Sequence, residues 1–96
     1  MKRKGIKSSL YLPSKCFNII ETNYEEVKNY LESRFDINYT IYLGEYGGEE
    51  ICGVDVSLIA ETFREVSRDY TDFKAYLKKI TGKTPKMIFK AKFERI

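Results

Sequence analysis

Ninety-six residues make one domain, spanning 1–96, with a core too thin for a deep substrate cavity. A hydrophobic fraction of 43% can pack such a core and argues against global disorder, while two cysteines are too few for a disulfide framework. The net charge is only +3, so any charge-driven recognition must come from how the charges are distributed.

The segment Gly5 to Leu12 alternates, with Ile6, Ser8, Leu10 and Leu12 on one face and Lys7, Ser9 and Tyr11 on the other. That is the period of a half-buried strand. Pro13-Ser14 interrupts it, and Cys16-Phe17-Asn18-Ile19-Ile20 reads as an extra strand over residues 15–20 or an extended lead into a helix. Thr22-Asn23-Tyr24-Glu25 fits a capping box at the start of the first helix, and Tyr24, Val27, Leu31 and Phe35 follow at helical spacing. Asp36-Ile37-Asn38 ends that pattern. Ile37, Tyr39, Ile41 and Leu43 then alternate with Asn38, Thr40 and Tyr42 as a second strand. Gly47-Gly48 permits positive φ and predicts a hairpin, from which Cys52, Val54 and Val56 return, alternating with Gly53 and Asp55.

The strongest periodicity comes next. Ile59, Phe63, Val66, Tyr70, Phe73, Leu77 and Ile80 are spaced 4-3-4-3-4-3, predicting a helix capped by Ser57 and stopped at Gly82. A helix from Leu58 to Thr81 would span about 36 Å. Strands of six or seven residues span about 20–24 Å. The helix must therefore overhang the sheet or break, and Ser67 to Thr71 is the weakest stretch. An overhanging stripe would be covered by a second copy, so a homodimer through Ile59–Ile80 is an expectation. In the last strand Met87, Phe89, Ala91 and Phe93 face the core and Ile88, Lys90, Lys92 and Glu94 face away.

The order β-α-β-β-α-β predicts a ferredoxin-like α+β fold, an antiparallel sheet in strand order 4-1-3-2 with two helices on one face. Charge segregation then becomes geometry. Residues 1–20 hold five basic residues and no acid, and residues 74–96 hold eight against Glu94 alone. Residues 21–57 hold nine acids against Lys28 and Arg34. Neighbouring first and last strands should thus make a basic edge, and the hairpin strands an acidic one.

Chemistry is sparse. There is no histidine, which removes the commonest general base and every His-dependent triad. Without a C-x-x-C pair, zinc and thioredoxin-like sites are unsupported, and no cofactor is implied. Gly82-Lys83-Thr84 mimics the tail of a phosphate loop, but it follows a helix instead of opening one. Asp69 and Asp72 read as solvated charges on a helix.

Two surfaces remain. Lys7, Tyr11, Tyr42, Lys90 and Lys92 would share the open sheet face, where aromatic rings can stack on unpaired bases and lysines hold phosphates. Glu45, Tyr46, Glu49 and Glu50 form an acidic hairpin tip suited to protein contact. The expected function is a small non-enzymatic protein-binding module, an inhibitor or adaptor. The alternative is a single-stranded nucleic-acid-binding domain using the basic open face. The Lys-, Ile-, Tyr- and Asn-rich composition suits a phage or plasmid of an AT-rich host. The basic start is followed by no apolar leader-like run, so the reading is cytoplasmic with free thiols. No stretch approaches a membrane span.

Overall fold

Alternating strands and periodic helices assemble into a four-stranded antiparallel sheet under a helical layer. The computed structural model describes residues 3–34 and 38–95, with the backbone alone over 31–34. The elements are β1 (Arg3–Pro13), α1 (Cys16–Thr22), α2 (Tyr24–Arg34), β2 (Asn38–Tyr46), β3 (Glu49–Ala60), α3 (Phe63–Thr81) and β4 (Lys86–Arg95). The strands lie in the order β2-β3-β1-β4. That is the expected ferredoxin-like order, with β1 paired antiparallel to both β3 and β4. The expected roles of the Leu31 side chain, Phe35 and Ile37 lie outside the described residues.

β1 and β3 form the centre, and their alternation sets the faces. Ile6, Ser8, Leu10 and Leu12 are buried beneath the helices, opposite Leu58, Val56, Val54 and Cys52. β2 joins β3 through Gly47 and Gly48, at φ 62° and 83°. Positive φ at both central residues is the two-residue hairpin geometry whose twist matches the strands.

Residues 15–20 are not a strand. Cys16 and Ile20, one helical turn apart, are both buried in α1, and periodicity alone cannot assign so short a segment, apolar but for Asn18, to helix or strand. Three helices therefore stand where two were expected, with Asn23 separating the added α1 from α2. Its backbone N–H and side-chain Nδ2 both donate to the Ile19 carbonyl, at 3.2 and 2.8 Å. Its own carbonyl accepts from Val27 N–H at 2.9 Å. Thr22 closes α1 and does not cap α2. Tyr30 of α2 stacks on Tyr76 of α3 at 4.5 Å, and the Tyr76 hydroxyl donates to Glu26 at 3.1 Å.

The second helix starts later than the spacing predicts. Leu58 and Ile59 extend β3, opposite Ile6 and Gly5. Thr62, not Ser57, caps α3: its hydroxyl oxygen accepts from Glu65 N–H at 3.1 Å. Nineteen residues of α3 span about 28 Å. The eleven residues of β1 span about 36 Å, so nothing overhangs. The helix is unbroken over 67–71, and the Thr71 hydroxyl donates to the Ser67 carbonyl at 3.1 Å. Val66, Tyr70, Phe73 and Leu77 are buried on this chain's own sheet, so the Ile59–Ile80 stripe is not a free dimer seam.

Candidate functional site

The open face of the sheet carries Lys7, Ser9 and Tyr11 from β1 and Thr40 and Tyr42 from β2, as the alternation predicts. Two glycines in the central strands give aromatic rings a place to lie. The Tyr42 ring tip covers Gly53, where a Cβ would come within 2.2 Å of it. The tip of Phe93 covers Gly5, also at 2.2 Å. Tyr11 and Tyr46 meet at 4.9 Å between ring centres. A groove of about 600 Å³ runs beside Phe93, lined among others by Lys7, Thr40, Asp55 and Arg95. Asp55 is exposed in it and accepts a long hydrogen bond from the Tyr42 hydroxyl at 3.4 Å. Burial, and then the Asp55 carboxylate, raise the Tyr42 pKa.

Lys90 and Lys92 are not on this face. They stand opposite Ser8 and Ile6, and so share the helical side of the sheet. The Lys90 ammonium lies 5.1 Å from the Tyr70 ring centre and that of Lys74 lies 4.6 Å from it. Lys92 and Lys4 each lie 5.4 Å from Phe63. The reason is that β4 is an edge strand only partly roofed by α3. A lysine stem can lie along the aromatic rings while its charge stays in water. Phe89, Ala91 and Phe93 consequently take the open side, opposite Ser9, Lys7 and Gly5. The five residues proposed to hold nucleic acid are thus divided, three on one face and two on the other.

The hairpin tip holds Glu45, Tyr46, Glu49 and Glu50 together and exposed. Glu45 faces Glu50 directly across the ladder, a like-charge pairing that costs stability. Tyr46 is not a free anchor, since it leans on Tyr11.

Sequence reasoning placed the last strand at the sheet edge but missed the apolar run exposed on it. Met87, Ile88 and Phe89 are 56%, 37% and 49% exposed, three consecutive apolar residues beside a register shift between Ser9 and Leu10. The signal available was Lys90 and Lys92 at alternate positions, a pattern that marks an edge strand. Asp69, expected to be solvated, is buried. Cys16 and Cys52 are buried free thiols. Burial, then the neighbouring Cys16, pushes the Cys52 pKa up to about 11, which keeps it protonated and poorly nucleophilic.

No family model matches the chain. No curated relative matches it either. Among solved structures, the de novo designed protein Foldit4 is similar over 98% of this chain and 97% of its own, with TM-score 0.49 and 14% identity. A dimeric ferredoxin-like protein from an uncultured marine organism is similar over 99% and 95%, with TM-score 0.48 and 8% identity. No helix among the described residues is long and apolar enough to cross a membrane.

Proposed function

We propose that the chain is a non-enzymatic protein-binding module, of the inhibitor or adaptor kind, that meets its partner through β4. One observation carries this: the exposed run Met87-Ile88-Phe89 on an edge strand. A contiguous apolar patch at a sheet edge costs solubility unless something covers it. The acidic tip at Glu45, Tyr46, Glu49 and Glu50 is a second contact on the opposite half of the sheet. The test is to recover the tagged chain from its host cells beside a Met87→Ser, Ile88→Thr, Phe89→Ser variant whose folding has been checked. A partner held by the parent chain and lost by the variant supports the reading. Equal recovery by both overturns it.

The nucleic-acid reading keeps one specific support, the ring of Phe93 beside Lys7 and Arg95 in the open groove, with Tyr42 bonded to Asp55 on its wall. Asp55 in the same groove repels phosphate. Titration with single-stranded RNA and DNA decides it, because phosphate contacts weaken steeply with salt. Absence of binding at ~50 mM salt, where such contacts are strong, ends that reading.

A further inference from the structure

We infer that β4 accepts an extended segment of a partner protein as a fifth strand, and that this segment alternates acidic with apolar residues. The inference rests on the protein-binding reading and names the chemistry of its partner. β4 has ten residues and one neighbour, β1, so the backbone groups along its outer side have no ladder partner among the described residues. A strand laid there would gain main-chain hydrogen bonds, and its side chains would meet two rows. On the helical side the row is Lys90, Lys92 and Glu94, with Lys74 close by over Tyr70. The Glu94 carboxylate is held by Lys4, so the charge this row offers a new strand is that of the two lysines. On the open side the row is Phe89, Ala91 and Phe93. Carboxylates complement the first row and apolar side chains the second.

The same features argue against a second copy as occupant. Antiparallel self-pairing of β4 opposes Lys90 to Lys90 when centred there and Lys90 to Lys92 when centred at Ala91. Centring further on, at Lys92 or Phe93, sets a lysine against Glu94, but that carboxylate is already held by Lys4 and the paired stretch shrinks to the end of the strand. The chain's other edge, β2, has Glu45 as its one acidic residue and offers no alternating acidic row. Edge lysines and a register shift are the usual guards against unwanted pairing. Here the shift lies at the start of β4, next to Met87 and Phe89, and leaves residues 89–95 in regular register. Lysines repel basic edges but attract an acidic one, so the guard acts as a selector.

The experiment uses the isotope-labelled full chain and short capped peptides as probes. A peptide alternating glutamate and valine should shift the β4 amides and slow their exchange, more weakly as salt rises. Lys90→Gln and Lys92→Gln should each weaken it roughly two- to fivefold, the factor an exposed ion pair supplies. The same peptide N-methylated at alternate residues cannot donate to the ladder and should not bind. Equal binding by the N-methylated peptide, or by one alternating lysine and valine, overturns the inference, as does an unshifted β4. If the peptides fail while the Met87, Ile88, Phe89 variant still loses its cellular partner, strand addition is wrong and the protein-binding reading stands.

Discussion

The Tyr70 hydroxyl lies 2.7 Å from Ser8 Oγ, inside the core and 62 residues away in sequence. Ser8 in turn donates to the Phe89 carbonyl at 2.7 Å. A carbonyl can only accept, so the Ser8 proton is committed to Phe89 and Tyr70 must donate to Ser8. This short relay ties α3 to β1 and β1 to β4 at the register shift. Ser8→Ala leaves a buried phenol and a carbonyl without this partner and should cost about 1–3 kcal/mol. Tyr70→Phe leaves Ser8 bonded to Phe89 and should cost about 1 kcal/mol. The double variant should cost less than the sum, because the two share one bond. Urea denaturation measures all three, and strict additivity would show that the relay is not formed.

Tyr42 and Gly53 make a pair whose sign can be reversed. With Tyr42 present, Gly53→Ala drives a Cβ into the ring tip and must expel it from the sheet, at a cost of about 1 kcal/mol or more. In a Tyr42→Ala background the space is empty. The same change should then stabilise by about 0.5–1 kcal/mol, since alanine loses less chain entropy than glycine in a strand. A cost in both backgrounds would mean that Gly53 answers to the backbone and not to the ring.

Tyr39 sets an alkaline limit. Its hydroxyl is buried and has no hydrogen-bond partner among the described residues. Burial first, then Tyr24, Glu25 and Tyr76, raise its pKa above the ordinary tyrosine value. A group raised in the folded state contributes stability that is complete below the unfolded pKa of about 10 and lost as pH rises above it. Tyr39→Phe should therefore stabilise by about 1 kcal/mol at neutral pH, by removing an unsatisfied group. It should also flatten the decline in melting temperature above about pH 10, where an ordinary tyrosine begins to ionise. An unchanged alkaline decline would place the titration elsewhere, with Tyr70 and Tyr76 also raised by burial.

Thr62→Ala should cost about 0.5–2 kcal/mol, the usual loss for a helix cap. Ser57→Ala, in mid-strand, should stay within about 0.5 kcal/mol. Chemical denaturation of the two variants separates a helix starting at Phe63 from one starting at Leu58, and a larger cost at Ser57 would restore the earlier start.

The sequence made this boundary hard to read because Ile59 satisfies two patterns at once. It stands four residues before Phe63, in phase with the stripe, and it also continues β3 opposite Gly5. Long-range pairing decided between them, and no local window contains it. By contrast, the run Ile6 to Leu12 and the stripe Val66 to Leu77 were legible, because each is buried along its whole length and its period is enforced. The fold order followed from those segments and the Gly47-Gly48 turn. At the site, Lys7, Tyr11, Tyr42 and the acidic tip were placed correctly by the parity of central or well-marked strands. Lys90 and Lys92 were not, since an edge strand has no fully covered face to hold its hydrophobic set inward.

That same weakness of constraint predicts how β4 responds to change. If Phe89 packed in the core, as its alternation with Lys90 suggests, Phe89→Ser would cost about 3–5 kcal/mol. At 49% exposed it should cost far less, and Met87→Ser and Ile88→Thr should each stay near 0.5 kcal/mol. Leu10→Ala, fully buried on the neighbouring strand, should cost about 2–5 kcal/mol and serves as the internal reference. Denaturation midpoints of the four variants test this directly, and a Phe89 cost matching that of Leu10 would reject the exposed edge. A small cost at all three β4 positions, with partner recovery lost, would separate their contribution to binding from any contribution to folding.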